Sequence, residues 1–395
     1  VSVAASAATV GVAAIGVAAV AAFGIAAKNS IAYSDTLKES AKITGLNAEA
    51  LDRLAQKSTE VDLGGGVKIT SNVNDIAQLQ QAILSADTTL IDMNGTLNES
   101  RLIQETNAAV ILSNADNTLT AKDAAVALTS TMKQYGIEGE KSMEVTNMLA
   151  AGAKFADQSI SQSLEGIRKA APNAKLANVT LAETIGLTQS FATIAGGSSE
   201  AGTQLSAVFS KLSGSMPADG LAALRAGLEA NGGSMERLMD KTLPLNERLK
   251  ELAKIEGNAS AINAAFEGSN AAVVGGLIKM GKASDDSKES LTGVKKSIEN
   301  TQTALEQARI EQEKSGAAWE NLSNRVNNAL TSVELSTFLS TISGGIASAL
   351  DGIIDFLSGF FTEFSDAFSE LGTALQPIRS GAKEVYNEIA KLFNS

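Results

Sequence analysis

The chain has no cysteine and no histidine among its 395 residues, and these two absences exclude more chemistry than any motif in it supports. Without cysteine there is no disulfide, no thiol nucleophile and no thiolate metal site. Without histidine, Ser-His-Asp triads and His-based metallopeptidase signatures are ruled out, and the commonest general base is missing. Proline occurs only 4 times, so few positions interrupt a helix. Aromatic residues make up 4% of the chain against 44% hydrophobic residues, so the apolar inventory is mostly small. Alanine-rich helices pack closely yet bury little area each, and long contacts or partner chains are expected to stabilise them. The net charge of −12 offers no basic footprint. No sequence-specific nucleic-acid partner is therefore expected, although an acidic wall around a DNA passage is physically reasonable. No cofactor, metal ligand set or catalytic residue is expected.

What is present is helical patterning with glycine-marked joints. The expected fold is all-α: a multi-helix Ala-rich bundle with one short hairpin, followed by coiled-coil and long amphipathic helices. The organising stretch runs from Met148 to Leu212. Leu149, Ala153, Ala156, Ile160, Leu164 and Ile167 fall three or four apart, which places them on one helix face that stops at Ala171-Pro172. Thr180-Leu-Ala-Glu183 reads as a capping box opening the next helix, which runs to Gly196-Gly197. A third helix opens at Ser198 and carries Leu205, Val208, Phe209 and Leu212.

Five regions are expected along the chain. Residues 1–27 carry no charge and form an apolar helix, expected to be buried or self-associating, with a membrane-entering segment as the alternative. The chain opens on Val1 rather than Met, which is the expectation for a piece of a longer product. Residues 28–282 form a helical core domain. Within it, Asn47 and Thr120 are helix caps, Tyr135-Gly136 ends a helix, and Pro217 and Pro244 start helices. Val61-Asp-Leu-Gly-Gly-Gly-Val-Lys-Ile69 is the hairpin, with alternating apolar residues around a glycine turn.

Residues 283–333 carry heptad spacing through Leu291, Val294, Ile298, Leu305, Trp319, Leu322 and Val326, which are the expected oligomer or partner interface. A straight rod and a hairpin bent near Ser315-Gly316 both fit. Residues 334–376 are amphipathic, with Ile353, Leu357, Phe360, Phe361, Phe364 and Phe368 opposite acidic residues. The acidic polar side favours packing on partner chains over a membrane-active segment. Residues 377–395 hold a short final helix.

The order Ser159-Ile-Ser-Gln-Ser-Leu164, then Leu181-Ala-Glu-Thr-Ile185-Gly186, then Ser198-Ser-Glu-Ala-Gly202-Thr203-Gln-Leu205 closely resembles the core domain of tape-measure proteins from long-tailed phages and phage-derived particles. The run Leu46, Glu49, Leu51 and Leu54 is similar to a segment of that family, as are Asp123-Ala-Ala-Val-Ala-Leu128 and the Tyr135-Gly136 pair after it. Phe266-Glu267-Gly268 resembles its Phe-Gly element, with Glu267 inserted. The resemblance spans roughly Asp35 to Lys282. It implies a structural protein that sets tail length, templates tail-tube assembly, fills the tube lumen and leaves as DNA is ejected. The implied partners are further copies of the chain, with a trimer favoured, tail-tube proteins, tail-tip or baseplate hub proteins, and the host membrane on ejection. The implied location is the tail tube and tip of the virion, after synthesis in the bacterial cytoplasm. A secreted filament or membrane translocator subunit is the alternative, since such proteins are also helical and cysteine-poor.

Two motifs resist a chemical reading. Gly276-Leu-Ile-Lys-Met-Gly281-Lys282-Ala283 lacks the Ser or Thr that a phosphate-binding loop places after its lysine to hold magnesium. Glu165 and Glu183, the carboxylates a Glu-based wall lyase would need, sit in ordinary helical and capping contexts.

Overall fold

The structure, a computed structural model, describes residues 32–313 apart from residues 117, 268, 269 and 300, together with Ala317, Glu320, Asn321, Ser323, Asn324 and Asn328. The described residues are mostly helical, with one two-stranded antiparallel hairpin. They divide into two compact units, one comprising residues up to 99 with those from 312 onward, the other comprising residues 100–311.

In the first unit, helix α1 (residues 32–44) ends at Gly45, whose φ of 72° suits a residue without Cβ. Helix α2 (Ala48–Lys57) starts at Asn47, whose side chain accepts the Ala50 amide at 2.7 Å, as the sequence predicts. The hairpin lies where alternation places it: β1 (Glu60–Asp62) pairs with β2 (Lys68–Thr70), Val61 opposite Ile69. Both side chains point inward and are buried. Helix α3 (Val73–Ala86) packs on α2, burying Ile76, Leu79 and Ile83 on one helix and Leu51 and Leu54 on the other. The buried Gln80 side chain donates to the Leu54 carbonyl and the Ser58 hydroxyl, both at 3.2 Å, so the closing turn of α2 is held from α3. Tyr33 on α1 donates its hydroxyl to Asp52 at 2.5 Å; burial first, and that bond second, push the phenol well above its usual range.

The second unit is built from α4 (Glu99–Ala115), α5 (Ala121–Tyr135), α6 (Ser142–Phe155), α7 (Ile160–Leu176), α8 (Leu181–Ala195) and α9 (Ser198–Ser210). A π turn (Lys211–Ser215) leads on to α10 (Ala218–Ala230), α11 (Met235–Met239), α12 (Leu245–Ala253), α13 (Ala259–Phe266), α14 (Ala271–Lys282), α15 (Leu291–Ile298) and α16 (Thr303–Gln312). The capping box at Thr180 and Glu183 is present in both directions, and Gly136 and Gly196 end α5 and α8 in the left-handed conformation. Thr120 accepts the Asp123 amide at the start of α5. Gly276 to Lys282 lie inside continuous helix α14, so the near match to a phosphate loop is a helix end.

Three expectations are corrected. The apolar face from Leu149 to Ile167 belongs to two helices, not one: α6 ends at Phe155, Asp157 turns with φ of 54°, and Ser159 opens α7 in a capping box with Gln162. The local cap outweighs a periodicity that happens to run through the break. Second, α7 does not stop at Pro172 but continues to Leu176. Ala170, Ala171 and Ala174 are fully buried on both sides of the proline, and Asn173 donates to Ser206 on α9 at 2.8 Å. This packing offsets the one backbone hydrogen bond that proline removes.

Third, the heptad stretch is not one rod. Helix α15 ends at Glu299, which is extended with ψ of 155°, and α16 begins at Thr303. Asn147 on α6 holds the break open. Its carboxamide oxygen accepts the Ala304 amide at 3.1 Å and its carbonyl accepts the Thr301 hydroxyl at 3.4 Å. One orphan donor at the start of α16 thereby gains a partner that a continuous helix would have made redundant.

Candidate functional site

The carboxylates that catalysis would need are committed elsewhere. Glu183 closes its capping box on the Thr180 amide at 2.9 Å. Glu165 is exposed, and the Ser199 hydroxyl at 3.0 Å and Lys169 hold its carboxyl below the usual range. Among the described residues no group of three or more acidic side chains is arranged to hold a metal ion. The fold's tightest positions are backbone crossings at glycine.

One close crossing joins α7 and α9. A Cβ on Gly166 would collide with the Ser198 carbonyl, and a Cβ on Gly202 would collide with the backbone of Gly166. Backbones approach this closely only where at least one of the two helices presents glycine at the crossing. Helices α12 and α14 repeat the device, with Gly281 against the Leu249 carbonyl. The small-residue composition thus appears in the structure as short interhelical distances.

Arg248 on α12 is the polar centre of the unit, with none of its surface exposed. Its guanidinium donates to the carbonyls of Ala177 at 2.6 Å, Leu238 at 2.8 Å and Leu212 at 2.9 Å. Ala177 caps the end of α7, Leu212 lies in the π turn after α9, and Leu238 lies in the last turn of α11. Carbonyls at helix ends lack intrahelical donors and carry the negative end of the helix dipole. Arg248 therefore ties three chain segments through one planar fork. Burial presses its guanidinium below the ordinary value, opposed by the charge of Asp240.

A second polar link runs from α7 to α5 and α8. Lys175 donates to the Tyr135 carbonyl at 2.7 Å, and the Tyr135 hydroxyl donates to Thr184 at 2.7 Å. Burial raises the Tyr135 phenol well above its usual range.

The residues expected at an interface fall into two groups. Leu291, Val294 and Ile298 are buried at 0 to 2% exposure within the chain itself. Helix α15 packs on α8 and α6, and Val294 fills the space left by the missing Cβ of Gly186. These three side chains are core, which corrects the expectation that they form an open seam for another chain. Leu305 is half-buried on α16, where Ala304 and Ala308 face inward. Trp319, Leu322 and Val326 lie outside the described residues, as do Ile353, Leu357, Phe360, Phe361, Phe364 and Phe368, and so do residues 1–27 and 334–395. Among the described residues, no helix is long and apolar enough to cross a membrane.

Sequence reasoning missed Arg248, whose position in an amphipathic helix looks like any solvated arginine. It also missed Asn321, Asn324 and Asn328, spaced i, i+3 and i+7. That spacing puts them on one helix face, a signal that a search for polar as well as apolar periodicity would have found.

A family model described as phage-related minor tail protein matches residues 60–268, from the hairpin through α13. No curated protein and no solved structure matches the chain.

Proposed function

The chain belongs to the phage-related minor tail protein family and is a structural component of a phage tail; from that premise we propose that it is the tape-measure component. In this reading it sets tail length, templates assembly of the tail tube, occupies the tube lumen as a homo-oligomer, and is released when DNA is ejected. Its partners are tail-tube proteins and tail-tip or baseplate hub proteins, with the host membrane engaged on ejection.

The observation that carries the reading is the placement of the tape-measure-like segments. Ser159 to Leu164, Leu181 to Gly186 and Ser198 to Leu205 open α7, α8 and α9, three consecutive helices of one glycine-packed unit inside the matched span. Helical residues continue beyond that span as far as Asn328. A helix rises about 1.5 Å per residue, so a helical continuation converts residue count into length.

Because α15 is core, the test deletes residues after Asn328. For a ruler that measures as a helix, in-frame removal of 28 residues there shortens the tail by ~42 Å, which electron microscopy of tails resolves as a shift in mean length. Tails of unchanged length would assign this chain to termination or assembly, and absent tails would assign it to nucleation. Self-assembly of the purified chain into filaments without tube protein would favour the secreted-filament reading.

A further inference from the structure

In the hairpin, alternate backbone groups of β2 face β1 and the others face away. The Leu63 amide donates to the Val67 carbonyl at 2.9 Å and the Ser71 amide to the Thr59 carbonyl at 2.8 Å, so the Val67 carbonyl and the Ser71 amide look inward to β1. The outward groups of Lys68 and Thr70 form the outer edge of the hairpin, and a strand edge ordinarily invites another strand.

That edge is met by a helix rather than a strand. Asn321 accepts the Thr70 amide at 2.8 Å and donates to the Lys68 carbonyl at 3.3 Å, so its carboxamide spans the edge as a peptide group of a neighbouring parallel strand would. Asn324 donates to the Thr70 carbonyl at 2.7 Å. Asn328 accepts the Val73 amide at 2.6 Å and donates to the Ser71 carbonyl at 2.8 Å. Val73 is the first residue of α3, so Asn328 also satisfies one of the orphan donors of that helix. Asn321 further donates to Gln312 at the end of α16.

We propose that the outer edge of β2 is a docking site for carboxamides presented at i, i+3 and i+7, and that Asn321, Asn324 and Asn328 occupy it as a detachable latch. The occupant is this chain's own segment, because its three carboxamides match the donor and acceptor order of the edge from Lys68 to Val73. The five hydrogen bonds of the contact are part-buried or exposed, although Thr70 and Val73 are themselves buried residues, and on detachment water replaces the Asn partners. The contact therefore opens at far lower cost than a packed core does. Opening separates Asn321, Asn324 and Asn328 from the outer edge of β2. This latch does not depend on the tape-measure reading.

The test is amide exchange of the full chain carrying Asn321→Asp, Asn324→Asp and Asn328→Asp together. At neutral pH a carboxylate keeps the shape and the acceptor but loses the donor and faces three carbonyls. The expected result is exchange at the Thr70 and Val73 amides faster by about 10-fold or more, with the Leu63 and Ser71 amides unchanged because β1 still pairs them. Unchanged Thr70 and Val73 amides would overturn the docking site. Loss of protection at all four amides would overturn the latch, since the segment would then be an integral part of the hairpin fold.

Discussion

Gly202 on α9 lies so close to Gly166 on α7 that a Cβ on the first would overlap the backbone of the second. The crossing has no flexible side chain that can yield. Substituting Gly202→Ala is expected to destabilise the chain by about 1–3 kcal/mol, although alanine is the better helix former. Gly275→Ala in α14 is the contrasting case, because a Cβ there meets nothing within 4 Å. That change is expected to stabilise by about 0.5–1 kcal/mol. Urea unfolding of both variants separates close packing from helix propensity.

Arg248→Met leaves three buried helix-end carbonyls without a donor. Each costs about 1–3 kcal/mol, so the variant is expected to fall below the stability of an ordinary domain and expose α7, α9 and α11 together to proteolysis. Arg248→Lys is expected to recover only part of the loss, because one ammonium cannot reach three carbonyls approached from separate directions.

Leu291→Ala and Ile298→Ala test whether α15 is core. Each is expected to cost about 2–5 kcal/mol in unfolding experiments. Sedimentation of the folded protein is expected to show the same oligomeric state as the unsubstituted chain. A change of state at constant stability would return these residues to an intermolecular seam.

Asp116 links the loop before α5 to the start of α7. Burial alone would raise its carboxyl, but it accepts the Thr118 amide at 2.9 Å, the Thr118 hydroxyl at 2.8 Å and the Ser161 amide at 3.1 Å, and the net shift is downward. A carboxyl depressed on folding contributes stability that is fully present above its unfolded value. That stability is lost as pH falls through the lower folded value. The chain is therefore expected to lose stability as pH drops below the ordinary value of 3.8. Asp116→Asn is expected to be less stable near neutrality and to show a shallower acid loss, measured by thermal unfolding across pH.

Local chemistry was legible wherever a few neighbouring residues settle the outcome. Asn47, Thr120 and Thr180 cap the helices they were expected to cap, and the glycine turn closes the hairpin where it was expected, with Val61 opposite Ile69. The continuation of α7 through Pro172 was not legible, since the contacts that outweigh the proline come from α9. Nor was the fate of the heptads, because a three-four spacing describes a stripe without saying what covers it. Val294 meets Gly186 within the chain, more than a hundred residues away in sequence.

The sequence by itself determined the mostly helical class, the caps and turns, the absence of histidine and cysteine chemistry, and the small side chains that permit close crossings. Those properties depend on composition and on interactions within a turn or two of backbone. Only the tertiary structure decided that Leu291, Val294 and Ile298 are core, that Arg248 gathers three helix ends, and that Asn321, Asn324 and Asn328 meet the edge of β2. Each of these depends on which distant segment arrives opposite, and burial and hydrogen-bond satisfaction are properties of that meeting.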